Sequence, residues 1–318
     1  MTRAVWKTKN RGKLSYGDRE PVMKNANDTS IPSLEPWVVE ILANPITKKP
    51  ATIQEFKSVD GVLDARVSLK NTLGFREWMA GQAVYEKWEA NSKGYASKVE
   101  SYKAEINYDR PIYEHFSLEG VVLDVGGGVG TVREFLSEHI KFVSVDPYVS
   151  CLHEIPRAKI EAYSCLSRHL NFIGALAEFL PFIVSQFDWV HMRSMLDHVQ
   201  VPDLALIEAH RVLKNDGNLL VGLYLEGGKS GTVSSQQEIK HRIKGVLSFI
   251  GIDRWKDHHT WHPTFSILTK LIEDRGFVVE DVYWQPHWNN QVCYVLAKKS
   301  GCLNLWGPLL TTEVNRSR

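Results

Sequence analysis

The chain has 318 residues, enough for about two domains of ordinary size. With 43% hydrophobic and 24% charged residues it has a globular composition, which excludes wholesale disorder. Its 38 basic and 37 acidic side chains leave a formal charge of +1, so there is no chain-wide electrostatic footprint for nucleic acid, and no apolar run reaches the ~18 residues of a membrane span.

Residues 1–33 are polar and read as an irregular arm, beginning with a basic stretch (Arg3, Lys7, Lys9, Arg11, Lys13). That stretch lacks the apolar segment a secretory signal needs, so a solvated tail is expected. Residues 34–115 form an accessory module without a nucleotide motif: an apolar run at 38–42, a turn at Val59-Asp60 before Gly61-Val62-Leu63, and a helical stretch at 75–98. From Gly120 the pattern changes to short apolar strands alternating with helical periodicity, which predicts β-α-β units around a parallel sheet.

In order, the expected elements are a strand at 121–125, a helix at 130–139, strands at 142–145 and 172–175 flanking a helix at 157–169, and a strand at 187–191. Pro202 and Asp203 then open a helix with apolar positions Leu204, Leu206, Ile207 and Val212, which ends at Asp216-Gly217 before a strand at 219–224. A helix at 265–271 and a strand pair at 277–284 and 292–297 close the region. The expected fold is α/β: a doubly wound, mostly parallel seven-stranded sheet with an antiparallel C-terminal hairpin over 116–300, and a tail at 301–318. The four cysteines (151, 165, 293 and 302) form no C-x-x-C pair, which fits a reducing cytoplasm and offers no cysteine zinc site.

The strongest local signal is Asp124-Val125-Gly126-Gly127-Gly128-Val129-Gly130, a glycine loop between an apolar strand and a helical pattern. Such glycines let backbone approach a ligand closely, and a carboxylate ending the next strand, here Asp146, can accept ribose hydroxyls. The dinucleotide fingerprint fails, because its third glycine falls at Thr131.

This loop, followed by Ser144-Val145-Asp146, resembles class I S-adenosylmethionine-dependent methyltransferases. The likeness continues through Ala177-Glu178-Phe179-Leu180-Pro181-Phe182, Leu196-Asp197-His198-Val199 and Arg211-Val212-Leu213-Lys214, as in the ubiquinone/menaquinone-type (type 11) subfamily. It implies S-adenosyl-L-methionine as cofactor. Asp124, Gly126 and Gly128 would lie at its methionine end, Asp146 and Pro147 at the ribose, Ala177 at adenine, and Arg193 or Ser194 at the sulfonium. The acid that often precedes the Ala-Glu pair is Leu176 here, leaving adenine to backbone groups, stacking or Glu178. Upstream, residues 41–47 followed by Gly61-Val62-Leu63-Asp64 resemble a small zinc-ribbon-like module found before some bacterial methyltransferase domains. Asn44 and Thr47 stand where that module has cysteines, which implies a metal-free version.

Methyl transfer is an in-line displacement for which the protein supplies positioning and, for a hydroxyl or amine acceptor, a base. His198 is the leading base candidate, with a structural role capping a turn as the alternative; Glu226 is either a second candidate or a solvated loop acid. His258, His259 and His262 include an i, i+4 pair, but a metal site needs a third ligand and Pro263 reads as a helix start, so no metal is expected. Trp255, Trp261, His287 and Trp288 suit either an acceptor pocket or ordinary packing; Trp78, Trp88 and Trp284 also fall outside the cofactor motifs. The expected function is methylation of a small-molecule acceptor, leaning to a hydroxyl group, with no nucleic-acid partner and a cytoplasmic location. Two alternatives remain: an RNA methyltransferase, disfavoured by the charge balance, and a non-catalytic cofactor-binding or partner-regulating protein.

Overall fold

Short runs of β-branched and aromatic residues with alternating sidedness build the centre of the molecule. The computed structural model describes residues 33–67, 98–153, 155–231, 259, 261–286 and 290–301. The expectations for the arm at 1–32, the helix at 75–97, the C-terminal tail beyond 301, and Trp78, Trp88, Trp255, His258, His287 and Trp288 lie outside the described residues.

The strands are β1 (Lys57–Val59), β2 (Val62–Asp64), β3 (Val121–Val125), β4 (Lys141–Asp146), β5 (Asn171–Gly174), β6 (Phe187–Arg193), β7 (Leu213–Tyr224), β8 (Phe277–Trp284) and β9 (Val292–Lys299). They form one sheet in the order β1-β2-β5-β4-β3-β6-β7-β9-β8. Pairing is parallel from β2 to β7; β9 joins β7 and β8 antiparallel. The chain winds from β3 through β4 to β5 in one direction and from β6 to β7 in the other. The sheet therefore reverses beside β3, and a crevice opens at the carboxyl ends of its strands.

The period of two explains the layering. Leu123 and Val125 face the same side as Val143, Val145, Val190 and Met192, where they meet α1 (Pro36–Glu40), α4 (Pro202–Val212) and α5 (Phe265–Asp274) through Val38, Leu206 and Leu268. Val122, Phe142, Trp189 and Leu220 face the other side, covered by Ile112, Tyr113 and Phe116 of α2 (Val99–Phe116). The short α3 (Arg157–Ala162) packs beside α2 around Tyr102, Ile106 and Tyr163. Trp261 and Trp284 pack, partly buried, against the first core. Among the described residues, no helix is long and apolar enough to cross a membrane.

The structure departs from the sequence expectation in four places. The sheet has nine strands rather than seven, because the turn at Val59-Asp60 becomes a hairpin around Asp60 and Gly61, both at positive φ. This hairpin extends the sheet by parallel pairing of Leu63 with Ile173. The helix expected at 130–139 is only a 3-10 turn, Thr131–Phe135. The buried Arg133 donates through Nε to the Gly130 carbonyl (3.0 Å) and through Nη2 to that of Val129 (3.4 Å), so a side chain occupies acceptors that a continuing helix would use. The helix expected to reach 169 ends at Ala162, where Glu134 captures the Cys165 N–H (2.9 Å) and the Ser164 hydroxyl (3.0 Å). Finally, β7 starts at Leu213, with Asp216 at φ 63 in a bulge where the register against β6 shifts.

Candidate functional site: a cleft at the carboxyl ends of the strands

The glycine loop leaves the end of β3 and is held from beneath. Gly126 N–H donates to the Val145 carbonyl (2.8 Å), and Ser144 Oγ donates to that of Gly128 (3.1 Å). Gly127 occupies a variable position of the motif, yet a Cβ there would lie 2.1 Å from Asp124 Oδ2 and 2.7 Å from Ser144 Oγ, so packing demands glycine. Gly128 sits at φ +49, and a Cβ on it would meet nothing within 4 Å: the loop presents bare backbone to open space.

Asp146 ends β4 across from this loop. Its Oδ2 accepts from Gly128 N–H (3.1 Å) and its Oδ1 from Tyr148 N–H (2.8 Å). Burial pushes its carboxyl up to about 6, the two backbone N–H groups opposing that rise and the nearby Asp124 adding to it. Each carboxylate oxygen keeps acceptor capacity for a further donor.

Asp146 borders a cleft with about 630 Å³ of empty space, part of it open to solvent. Gly126 and residues 146–148 form one wall, residues 175–178 a second, and Ser194, Met195, His198 and Val199 a third. The second wall is apolar where Leu176 stands. Glu178 lines it, but its Oε1 is engaged by the N–H groups of Gln200 (2.8 Å) and Val201 (3.2 Å) just before α4, and burial raises its pKa. The pairing places a carboxylate at a helix amino terminus, where it is stabilised. Ser194, at φ 48, donates its N–H to the Gly222 carbonyl (2.8 Å).

Three sequence-derived candidates occupy other surroundings. Asp124 is buried with Oδ1 2.8 Å from His191 Nδ1, while His191 Nε2 lies 3.2 Å from the Tyr113 hydroxyl. Burial raises the Tyr113 pKa well above its ordinary value, so the phenol keeps its proton and the three side chains form one buried polar chain. Arg193 forms a fork on the buried Asp109 of α2, at 2.5 and 2.7 Å. Burial opposes that guanidinium charge, but Tyr294, Tyr113 and Asp109 outweigh it and raise the Arg193 pKa. Glu226 lies outside the cleft wall, and its N–H donates to the Pro263 carbonyl (2.9 Å) in a short bridge to Thr264.

His198 does line the cleft, and the structure adds neighbours that sequence spacing does not indicate. Its Nε2 is 3.9 Å from Asp197 Oδ1, and its ring centre lies 4.5 Å from that of His259. His191 and Tyr113 were also missed. The signal for His191 was a polar side chain inside the apolar strand pattern Phe187-Asp188-Trp189-Val190-His191, which calls for a buried partner. Upstream, Asn44 Oδ1 accepts the N–H groups of Ile46 (3.0 Å) and Thr47 (2.9 Å), so the knuckle at 44–47 is closed by an amide oxygen.

The donor set fits S-adenosylmethionine. Gly126 of the loop, the Asp146 carboxylate and the apolar wall at Ala175, Leu176 and Ala177 meet in one cleft, with the bare backbone of Gly128 bordering the space on the other side of Asp146. Residues 123–221 match the family model for a methyltransferase domain. The ubiquinone/menaquinone biosynthesis C-methyltransferase of Shewanella pealeana is 28% identical over 173 residues, covering 49% of this chain and 65% of that protein. The protein of the same name from Allorhizobium ampelinum is 35% identical over 183 residues, covering 57% and 63%. The chain thus spans somewhat less than two thirds of these relatives' length. A solved Burkholderia thailandensis 1,6-didemethyltoxoflavin-N1-methyltransferase, holding its substrate and S-adenosylhomocysteine, aligns at 15% identity and a TM-score of 0.46, over 74% of this chain and 95% of that one. The family match begins on the strand that feeds the glycine loop and ends on the strand after Ser194, so it coincides with the segment that walls the cleft: residues 123–221 match a methyltransferase domain.

Proposed function

We propose that this protein transfers a methyl group from S-adenosylmethionine to a small-molecule acceptor, at a hydroxyl oxygen. The observation that carries the reading is Asp146, half-buried at the end of β4 with both oxygens aligned by backbone N–H groups of the glycine loop and the following turn. That carboxylate is set to receive a ribose before any ligand arrives. When bound, the cofactor supplies an electrophilic methyl carbon on a sulfonium; the chain's task is to orient the two reactants and manage the acceptor's proton.

Gly126, Gly128 and Asp146 are assigned to the cofactor, with Pro147, Leu176 and Ala177 forming the slot for its base. Asp124 supports the loop from beneath through its contact with His191, and Arg193, fixed on Asp109, braces the strand end from which Ser194 projects. His198, on the opposite wall, faces the acceptor. An imidazole beside a carboxylate makes this wall polar, which suits a hydroxyl-bearing acceptor and supports oxygen over carbon as the acceptor atom. The near-neutral charge supports a small molecule over RNA. Burial pushes the thiols of Cys165 and Cys293 up to about 11 and about 12, which keeps them protonated and out of the chemistry.

Calorimetry with S-adenosylhomocysteine tests the assignment. The protein binds it, and Asp146→Ala weakens binding by about 1–3 kcal/mol, the cost of lost buried hydrogen bonds. No detectable binding by the unaltered protein would sink the proposal.

A further inference from the structure

One carboxylate and two imidazoles, from separate parts of the chain, converge beside the cleft wall that carries His198. The ligand atoms of Asp197, His198 and His259 all lie within 4.8 Å of one another. His259 Nε2 is 3.5 Å from Asp197 Oδ2, His198 Nε2 is 3.9 Å from Asp197 Oδ1, and the two ring planes are tilted by 40°. Two imidazole nitrogens and a carboxylate oxygen gathered this closely are the donor types that ligate first-row divalent ions. A single divalent ion satisfies all three groups at once.

We propose that Asp197, His198 and His259 hold one first-row divalent metal ion, and that its open positions bind an acceptor with two neighbouring oxygen atoms, such as vicinal hydroxyls or a hydroxyl beside a carbonyl. Around an ion with bonds of about 2.1 Å, donors at tetrahedral or octahedral angles stand roughly 3–3.5 Å apart, so closure asks for side-chain shifts on the order of 1 Å. Two imidazoles and a carboxylate suit zinc, manganese or iron better than magnesium or calcium, which favour all-oxygen sites. Three protein ligands leave coordination positions free. Because His198 also lines the cleft, next to Ser194 and Met195, those positions open toward the space beside the cofactor site. The site has support behind it: the segment carrying His259 is pinned to the end of β7 by the Glu226–Pro263 bond, and the His262 ring lies 5.5 Å from that of His259.

The ion would act as a Lewis acid: the coordinated hydroxyl releases its proton to water and its oxygen pair forms the O–C bond as the methyl C–S bond breaks, that bond's pair going to sulfur and S-adenosylhomocysteine leaving. His198 is then a ligand rather than a proton acceptor. The acceptor half of this inference rests on the methyltransferase reading above; the metal half does not.

The test uses the full chain without methyl donor or acceptor. Co²⁺ is titrated while its visible absorption is followed, and Zn²⁺ is titrated by calorimetry. The expected result is one ion per chain, with nitrogen and oxygen ligation, and at least tenfold weaker binding in both Asp197→Asn and His259→Ala. Both variants still bind S-adenosylhomocysteine like the unaltered protein. Should the buried Asp197 variant fail to fold, His259→Ala, at a half-exposed position, carries the test. No ion binding by the unaltered protein, or unchanged affinity in His259→Ala, overturns the inference while leaving the cofactor assignment standing. With metal binding established, loss of turnover on chelation for acceptors bearing paired oxygens supports the acceptor class, and equal turnover of single-hydroxyl acceptors with and without metal refutes it.

Discussion

Replacing Asp146 with asparagine should strengthen the ligand-free fold at alkaline pH while crippling cofactor binding. Burial raises this carboxyl from its ordinary 3.8 to about 6, roughly two units, or ~3 kcal/mol at about 1.4 kcal/mol per unit. That figure is a ceiling, because the group is partly exposed to solvent screening. Asparagine removes the charge but keeps a single acceptor, so one of the N–H groups of Gly128 and Tyr148 loses its partner, at about 1 kcal/mol. The net gain at pH 8 is then about 1–2 kcal/mol. The folded state holds the proton more tightly than the unfolded chain, so between about pH 4 and 6 the native stability contributed by this group falls as pH rises, and above the folded pKa the loss is complete. The variant lacks that slope. Urea unfolding of both proteins from pH 4.5 to 8 measures the difference, which should move in favour of Asp146→Asn with rising pH, while affinity for S-adenosylhomocysteine falls tenfold or more. Parallel stability curves would refute the claim that burial strains the carboxylate. Undiminished affinity would refute its role at the ribose.

Other substitutions probe the supports of the cleft. Gly127→Ala drives a methyl group into Asp124 and Ser144, and should destabilise by about 1–3 kcal/mol, read as a lower urea midpoint; an unchanged midpoint would show that the loop can yield. Tyr113→Phe leaves the buried His191 Nε2 without its hydrogen-bond partner and should cost about 1–2 kcal/mol in the same assay, with no loss if the hydroxyl contact is incidental. Arg193→Lys replaces a two-pronged contact on Asp109 by a point charge and should lower turnover and stability together, whereas full retention of both would remove Arg193 from the bracing of β6. Leu176→Asp places an acid where the family resemblance implies one and should tighten S-adenosylhomocysteine binding by up to about tenfold, one good hydrogen bond; weaker binding would mean the slot holds adenine by apolar contact alone.

Local signals carried much of the cleft's framework. The glycine loop and Asp146 are legible because a strand, a tight turn and a second strand are short-range structures whose geometry the residue types dictate. The alternation of β-branched and helical segments likewise announces a parallel sheet, since each buried strand needs a crossover to reach its neighbour. Helix lengths were less legible. The helix expected at 130–139 stops because Arg133 reaches back to nearby carbonyls, and the one expected to reach 169 stops because Glu134, thirty residues upstream in the chain, takes its amide.

By itself, then, the order of residues determined the fold class, the glycine loop and the carboxylate that ends the next strand, because these rest on backbone conformation and on spacing along one unit of the chain. Only the tertiary structure decided which side chains meet across units. The β1–β2 hairpin becomes a sheet edge because β5 offers unpaired backbone groups, and Asp124 turns to His191 because both are buried on adjacent strands. The Asp197, His198 and His259 cluster joins residues about sixty positions apart, since a short bridge at Glu226 returns the chain to the cleft. Contacts of that kind depend on how the crossovers fold back, and no local periodicity encodes them.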